Sequence, residues 1–525
     1  MDQKPIFGFC KKLGCCDACC LRYLGIRNPI AYEKSKEFVV KFLDQTENDS
    51  TSTNTPSQTD ETAPQHSNGN SSSPPMKRRK RDGCVSCLGI LQEDIWDQCI
   101  QKVKEVLDKK QYDCTTFACA LSAPIATILR DKAVVLHIQD SFKEYDPKAI
   151  TPIKEAWKWS FGTQLAENTG MALDSGAVAP LLVTLTIDYS DDAQELEVLK
   201  LLSPKLFESR SRQKRRFAVE FTRRSAEQAL ETATHEALTA LPGWGNGLPS
   251  VGNGLGCVSV SCVRTPLYLG GRYIKLSREL PQTPWVLNGK RMMESSVQEI
   301  IFGPIAKAYG WSEAEAEPRL KLMSAGREDV DVRCLGDGRP FAIELTDPKR
   351  QLTKEELHQI CEEISTSGKV VVKVLVPVTK EDLADLKKGE ETKSKSYEAL
   401  CIKLTHSEYE TCPPESTPRV TEEDIRRLNA LSEEGVTVLQ RTPIRVLHRR
   451  PLLVRPRRIM KVAAHMVPNH PQLFVVQLQT SAGAYVKEAV HGEFGRSKPS
   501  LGHALGAQLD ILALDVAKVH LDWPR

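Results

Sequence analysis

Gly326-Arg327-Glu328-Asp329-Val330-Asp331-Val332-Arg333-Cys334-Leu335-Gly336-Asp337-Gly338-Arg339-Pro340-Phe341 packs acids and arginines into a glycine-rich segment that runs into an apolar strand, Phe341 to Leu345. It reads as a catalytic loop. A carboxylate fixed beside a guanidinium keeps its charge, because the opposite charge lowers a carboxyl pKa by roughly 1–3 units. An ionised carboxylate is what a nucleophile or base must be. Glu328, Asp329, Asp331 and Asp337 all qualify on composition.

Outward from this loop, the last part of the chain alternates helical patterns with strand runs at Pro340 to Leu345, Val370 to Val376, Ala399 to Leu404, Leu473 to Leu478 and Ile511 to Leu521. The pattern predicts a mixed α+β domain, placed at residues 291–525. The middle region, 91–290, is also α/β. It holds an amphipathic stretch at Ile90 to Leu107, strands near Thr115 to Leu121 and Leu181 to Ile187, and a β-rich run from Cys257 to Tyr273. Ala226, Ala229, Leu230, Ala233 and Ala237 recur at helical spacing and predict one helix over Ser225 to Leu241, capped by Ser225 and stopped by Pro242. Gln45 to Gly83 has no aromatic and almost no aliphatic side chain, so it cannot bury enough surface to offset ordering entropy and is expected to be disordered. It contains Lys77-Arg-Arg-Lys-Arg81, which suits either nuclear import or RNA contact.

At 525 residues the chain has room for two to four domains. Its net charge of +3 sets up no global field for a polyanion, so any nucleic-acid face must come from local clusters. Phe207 to Arg224 is one such cluster. Arg441 to Arg458 is the sharper one, with seven arginines and no acid to pair with locally, which leaves guanidiniums for bidentate phosphate contacts. No apolar run reaches the ~18–20 residues needed to cross a bilayer, and Met1 to Cys20 has no signal-like apolar core. The expectation is an intracellular protein, nuclear or cytoplasmic, without membrane contact. Its sixteen cysteines are then thiols or metal ligands rather than disulfides.

Cys16-Asp-Ala-Cys19 and Cys84-Val-Ser-Cys87 are two C-x-x-C pairs, a spacing that aims two thiolates at one tetrahedral Zn²⁺. The 64 residues between the pairs are mostly the segment expected to be disordered, so the folded distance can be short. Cys10, Cys15 and Cys20 blur the choice of ligands.

Three strings in order carry a resemblance: the loop above, Tyr268-Leu-Gly-Gly-Arg-Tyr-Ile-Lys-Leu-Ser-Arg-Glu-Leu-Pro-Gln-Thr-Pro-Trp285, and Arg441-Thr-Pro-Ile-Arg-Val-Leu-His-Arg-Arg-Pro451. The chain resembles the tRNA pseudouridine synthase family ten of archaea and eukaryotes. The resemblance implies an N-terminal zinc module (1–44 with 84–90), a disordered linker (45–83), a THUMP-containing RNA-binding domain (91–290) and a pseudouridine synthase domain (291–525). It implies isomerisation of uridine to pseudouridine in the TΨC arm of tRNA, at uridine 55 with 54 as the alternative, without a catalytic cofactor. A monomer is expected.

The same resemblance implies site residues. Asp329, in Gly-Arg-Glu-Asp, is the nucleophile or base. Arg327 fills the gap left by the flipped uridine, and Tyr397 in Lys395-Ser-Tyr-Glu-Ala-Leu400 stacks on the base and helps remove the C5 proton. Lys487, in Ser481-Ala-Gly-Ala-Tyr-Val-Lys487, is expected to sit against Asp329, although Ala484 stands where the family's motif has a threonine. Leu514 walls the base pocket, with Leu512 as the alternative. Arg449 and Arg450 come from the acid-free arginine run and are expected to contact RNA phosphates. The zinc ligands are Cys16, Cys19, Cys84 and Cys87.

Two other readings are weighed. One is an RNA-binding adaptor with an idle catalytic fold. The other is a metal-dependent nuclease that gathers Asp329, Asp331 and Glu344 around Mg²⁺.

Overall fold

The computed structural model describes residues 3–44, 83–174, 179–212, 219–245, 247–251, 255–413 and 415–524. The run Lys77 to Arg81 and nearly all of the segment expected to be disordered lie outside the described residues. The chain divides into two units, Met1–Thr265 and Pro266–Arg525.

In the first unit a four-stranded sheet runs Ala172–Leu173, Thr116–Ser122, Leu181–Tyr189, Leu255–Arg264. The first three strands are parallel and the last is antiparallel. The cysteine-bearing segments share its core: Ile6, Phe7 and Tyr23 bury in the same apolar cluster as Phe117, Trp157 and Leu185. A polar brace fastens them. Arg22 and the Tyr23 hydroxyl both donate to Asp131, each at 2.7 Å, so the cysteine-bearing segment is part of this unit and not a module beside it.

The helix expected over Ser225 to Leu241 is two helices, Arg223–Leu230 and His235–Thr239. The break has a local cause, since the Thr234 hydroxyl accepts from the Ala237 amide and starts a second helix. The cap of the first helix is Thr222, whose hydroxyl takes the amide of Ser225, not Ser225 itself.

The unit boundary at Thr265/Pro266 corrects the one expected after residue 290. The Cys257 to Tyr273 run is interrupted at Pro266, which has no amide to give to a ladder. Before it, Leu255–Arg264 closes the N-terminal sheet. After it, Leu267–Lys275 pairs with Arg333–Leu345 and Val370–Val378 in the second unit.

The second unit is built on a ten-stranded sheet whose path runs Val370–Val378, Leu267–Lys275, Arg333–Leu345, Leu509–Val519, Lys395–Lys403, Leu473–Thr480, Val454–Met466, Val436–Arg441, Ser497–Lys498. Leu320–Ser324 pairs beside this path with Arg333–Leu345. Every pairing is antiparallel except that of Arg333–Leu345 with Leu509–Val519. Helices Val297–Tyr309 and Lys354–Ser365 cover one half through Ile301, Ile305, Leu357 and Ile360. Helices Glu422–Glu434, Val486–His491 and Leu501–Leu505 cover the other through Leu428, Val490 and Leu501. The loop 325–332 lies where the two halves meet, between the strands Leu320–Ser324 and Arg333–Leu345. All five C-terminal strands expected from sequence are present. Val454–Met466 is an addition whose opening arginines, Arg455, Arg457 and Arg458, hid it from a hydrophobic pattern.

Candidate active site

Gly326 opens the loop with φ of +95°, and a Cβ there would lie 2.6 Å from Lys395 Nζ and 2.9 Å from Arg339 Nη1. Only glycine lets the backbone pass this close to two cations. Beyond it the loop is pinned from beneath by the Tyr268 to Trp285 string. Glu328 is buried and accepts from Arg339 Nε at 2.6 Å and from the Tyr273 hydroxyl at 2.8 Å. The Gln282 amide donates to that hydroxyl and to the Gly326 carbonyl. Lys275, fully buried, donates to the carbonyls of Leu280 (2.6 Å), Asp329 (3.0 Å) and Val330 (2.8 Å). Burial brings the Lys275 ammonium down to about 8, against the pull of Glu328 and Asp331.

With its backbone fixed, Asp329 presents a carboxylate about a third exposed. Arg445 Nη1 donates to its Oδ2 at 2.6 Å, and Lys487 Nζ stands 3.8 Å from the same oxygen. Lys487 makes its short bond to Asp331 Oδ2, at 2.7 Å. Lys487 therefore does approach Asp329, but the direct partner is Arg445, which sequence reasoning did not single out. Arg445 sits on the short turn Ile444–Val446 and is aimed by Glu488, which accepts from its Nε at 2.7 Å. Burial works against the Arg445 charge, and Glu488 with Asp329 outweighs it, leaving the guanidinium above its ordinary value. Asp331 lies below the usual carboxylate range: burial pushes it up, and Lys487 more than offsets that.

Above these groups opens a cavity of about 390 Å³, lined by Arg327, Asp329, Tyr397, Arg445, Arg449, Arg450, Lys487 and Leu514 among others. All seven residues expected at the catalytic and RNA-binding site therefore meet at one place. Tyr397 stands on the strand Lys395–Lys403, between Leu478 and Val516 of its neighbours. Burial pushes its hydroxyl up to about 12, so it is a neutral phenol near pH 7. Leu514 is buried while Leu512 is 56% exposed. The two would share a face in a regular strand, but the register shifts between the pairs Leu400–Ala513 and Cys401–Ile511, leaving Leu512 on a bulge. Arg327 makes no hydrogen bond or salt bridge among the described residues, and burial together with Arg449 lowers its pKa.

The competing acids have structural partners: Glu328 takes Arg339, Asp331 takes Lys487, and Asp337 faces Lys518 at 3.4 Å. Arg333 goes instead to Asp515, which Arg278 also grips at 2.7 Å while donating to the carbonyls of Asp331 and Leu514. Arg278 thus ties the loop to the pocket wall. At the altered motif, the Gln440 side chain donates to the Tyr485 carbonyl (2.8 Å) and accepts from its amide (2.9 Å), so a side-chain amide fixes the backbone next to Ala484. Gln440, Glu488 and Lys275 gave no signal in sequence. Arg445 gave one: it belongs to an arginine run with no acid near it, so its partner had to come from elsewhere in the chain.

Asp329, Asp331 and Glu344 do not converge as a nuclease centre would require. Among the described residues, the groups close enough to share an ion are His406 with Glu410 and Cys412, and the four cysteines of the first unit. His406 has both ring nitrogens engaged, by Glu410 and by the Ser416 carbonyl. Cys16, Cys19, Cys84 and Cys87 place their sulfurs within 4.8 Å of one another, with Cys16 and Cys87 at 3.8 Å. Four thiolates at ~2.3 Å from a tetrahedral ion stand about 3.8 Å apart, so this donor set fits a structural metal. The Cys16 amide and Arg22 donate to the sulfurs of Cys84 and Cys19, at 3.2 and 3.5 Å, which offsets thiolate charge. No helix of the described residues is long and apolar enough to cross a membrane.

Residues 268–520 match the family described as "Pus10, C-terminal", and residues 84–242 the family described as "Eukaryotic Pus10, N-terminal". The "Putative tRNA pseudouridine synthase Pus10" of Drosophila melanogaster is 32% identical over 534 residues, spanning 100% of this chain and 98% of the relative. The "tRNA pseudouridine synthase Pus10" of Xenopus laevis is 34% identical over 446 residues, spanning 84% and 81%. Among solved structures, a chain of the Cbf5-Nop10-Gar1 complex aligns with a TM-score of 0.24 and 16% identity over 46% of this chain and 47% of that one, a slight likeness.

Proposed function

Since the chain belongs to the Pus10 family and is a tRNA pseudouridine synthase, we propose that Asp329 opens and recloses the glycosidic bond of a uridine in the TΨC arm of tRNA, at uridine 55. The observation that carries this reading is the carboxylate of Asp329, braced by Arg445 at 2.6 Å on the floor of a cavity walled by Tyr397, Lys487 and Leu514.

A stacked uridine must first leave the helix, at a cost of a few kcal/mol. Arg327, held without a salt bridge at the rim, takes its place in the stack, since a guanidinium plane stacks on bases. The extruded base lies against Tyr397 with Leu514 on the other side. Asp329 then either adds through a carboxylate oxygen to C1′, with the N1–C1′ pair leaving on uracil, or removes the C2′ proton after that bond breaks. In both routes the detached base turns so that C5 rebonds to C1′, the Asp329 oxygen leaving C1′ in the first and the abstracted proton returning from Asp329 to C2′ in the second, and the C5 proton is lost while N1 regains one. No redox partner is needed. Arg445 and Lys487 hold the carboxylate in place and balance charge as it is consumed and restored. Tyr397, neutral near pH 7, relays the C5 proton through its hydroxyl rather than acting as an anionic base.

The first unit is assigned the THUMP-containing tRNA grip. The four cysteines are assigned one structural Zn²⁺ that supplies no step of the chemistry. Arg449 and Arg450, exposed on the cavity rim, are assigned to RNA phosphates, and the protein is taken to act as a monomer in nucleus or cytoplasm.

Tritium release from tRNA labelled at uridine C5 tests the reading, because only isomerisation frees that label. Release by the wild-type protein and none by Asp329→Ala is the expected result. Equal release by both would end the assignment of Asp329.

A further inference from the structure

A second cavity, of about 580 Å³, adjoins the first and shares Arg450, Gly483 and Tyr485 with it. Its lining adds Arg455 and Arg457 and includes no aspartate or glutamate. The two arginines alternate on one face of the strand Val454–Met466. Arg455 lies opposite Gln440, whose amide clamps the Tyr485 backbone.

The guanidiniums here are short of partners. Arg450 and Arg455 make no side-chain hydrogen bond or salt bridge among the described residues, and Arg457 has only the Gly483 carbonyl, at 3.1 Å from its Nε. Three cations facing one space with no acid repel one another unless an anion enters. Gly483 is shaped to allow it. It holds φ of +72°, and a Cβ there would lie 3.0 Å from Arg457 Nη2, so glycine lets Arg457 lie across the turn that leads to Tyr485 and Lys487. The arginine-lined cavity and the Asp329 cavity therefore share one backbone segment.

We propose that this second cavity holds a phosphodiester next to the target uridine, with Arg450, Arg455 and Arg457 as its receptor. The proposal rests on the synthase reading, because it needs the flipped base to lie in the Asp329 cavity. Planar guanidiniums meet phosphate oxygens with paired, charge-assisted hydrogen bonds. Gripping the backbone beside the flipped nucleotide keeps the sugar fixed while the base detaches and turns. That contact is blind to base identity, so it positions the strand without reading sequence.

The test is a double-mutant cycle with one member in the RNA. A TΨC stem–loop carries a single uncharged methylphosphonate linkage, placed in turn on either side of the target uridine. Wild type, Arg455→Ala and Arg457→Ala are compared by RNA affinity and by tritium release; both arginines lie at or near the surface, and circular dichroism checks that the variants fold. With native RNA, each substitution should weaken affinity and raise KM about tenfold, as loss of a charge-assisted bond does, with a much smaller change in kcat. At one of the two linkages the methylphosphonate should weaken wild type similarly and Arg455→Ala hardly further. Costs that multiply at both linkages, or native-RNA affinity equal to wild type in both variants, would overturn the proposal. The affinity cycle reads out even if no label is released, an outcome that would instead strike the synthase reading.

Discussion

Arg445 and Asp329, 116 residues apart in sequence, share a 2.6 Å charge-assisted hydrogen bond at the floor of the cavity proposed as the active site. The same oxygen has Lys487 at 3.8 Å, so the carboxylate is held by two cations of unequal reach. Removing Arg445 should therefore hurt more than removing Lys487. Arg445→Met is expected to lower kcat/KM by on the order of a hundredfold, the upper end for a hydrogen bond to a charged group. Lys487→Met should cost about tenfold, because Arg445 stays in place. A larger loss for Lys487→Met, measured by single-turnover tritium release, would reverse the assignment.

Asp329→Ala and Asp329→Asn should abolish isomerisation while tRNA affinity stays within about threefold, since phosphate contacts supply the binding. Asp331→Ala should keep most activity, because its carboxylate serves Lys487 and not the substrate. Filter binding beside tritium release separates the two effects. An inactive Asp331→Ala with an active Asp329→Ala would move the chemistry to Asp331.

Tyr397→Phe should keep RNA affinity and lose turnover, because the ring remains and the relay hydroxyl does not. Tyr397→Ala should also lose stacking, worth about 1–3 kcal/mol per base. Burial sets the hydroxyl at about 12, so wild type and Tyr397→Phe should share one pH profile between pH 6 and 9. A limb that disappears in the Phe variant would show a titrating phenol instead.

Lys275 carries a sharper pH signature. Its folded value, about 8, is below the ordinary value of 10.5. The folded state thus disfavours the ammonium; that cost is fully present below about pH 8 and is relieved as pH rises from there towards 10.5. Its contribution to stability should therefore rise across that window. Loop order should fall, because losing a proton leaves three carbonyls with fewer donors. Activity should decline as pH passes through about 8, ahead of any loss of fold. Thermal unfolding and tritium release measured together from pH 7 to 10 check this, and in Lys275→Met neither signature should remain.

Purified protein should contain about one Zn²⁺ per chain. Cys16→Ser or Cys84→Ser should lose it and lower thermal stability, with activity weakened rather than abolished because the site lies in the other unit. Cys10→Ser and Cys20→Ser should retain the metal. Elemental analysis that finds no metal in wild type, with all four thiols titrating freely, would remove the zinc assignment.

The catalytic half was legible because its signals are local. The loop from Gly326 shows its acids, arginines and glycines in a row. The strands behind it are short apolar runs with nothing to disguise them, and C-x-x-C pairs carry their geometry in their spacing. The strand Val454–Met466 was illegible because Arg455, Arg457 and Arg458 crowd its start, so that part reads as a basic cluster and not as an apolar run. The single helix expected from Ser225 to Leu241 failed where Thr234 caps a new start.

By itself the sequence determined which residues are chemically capable: Glu328, Asp329, Asp331 and Asp337 in a charged loop, among which the family resemblance marks Asp329, seven arginines without acids, four cysteines in two pairs. Only the tertiary structure decided their partners. Arg445 rather than Lys487 meets Asp329 most closely, a bulge at Leu512 leaves Leu514 lining the cavity, and Gln440 holds the backbone beside Ala484. Ion pairs and hydrogen bonds form over a few ångströms of space, and a chain that folds into a ten-stranded sheet brings residues more than a hundred positions apart within that range, which no pattern of neighbours along the sequence records.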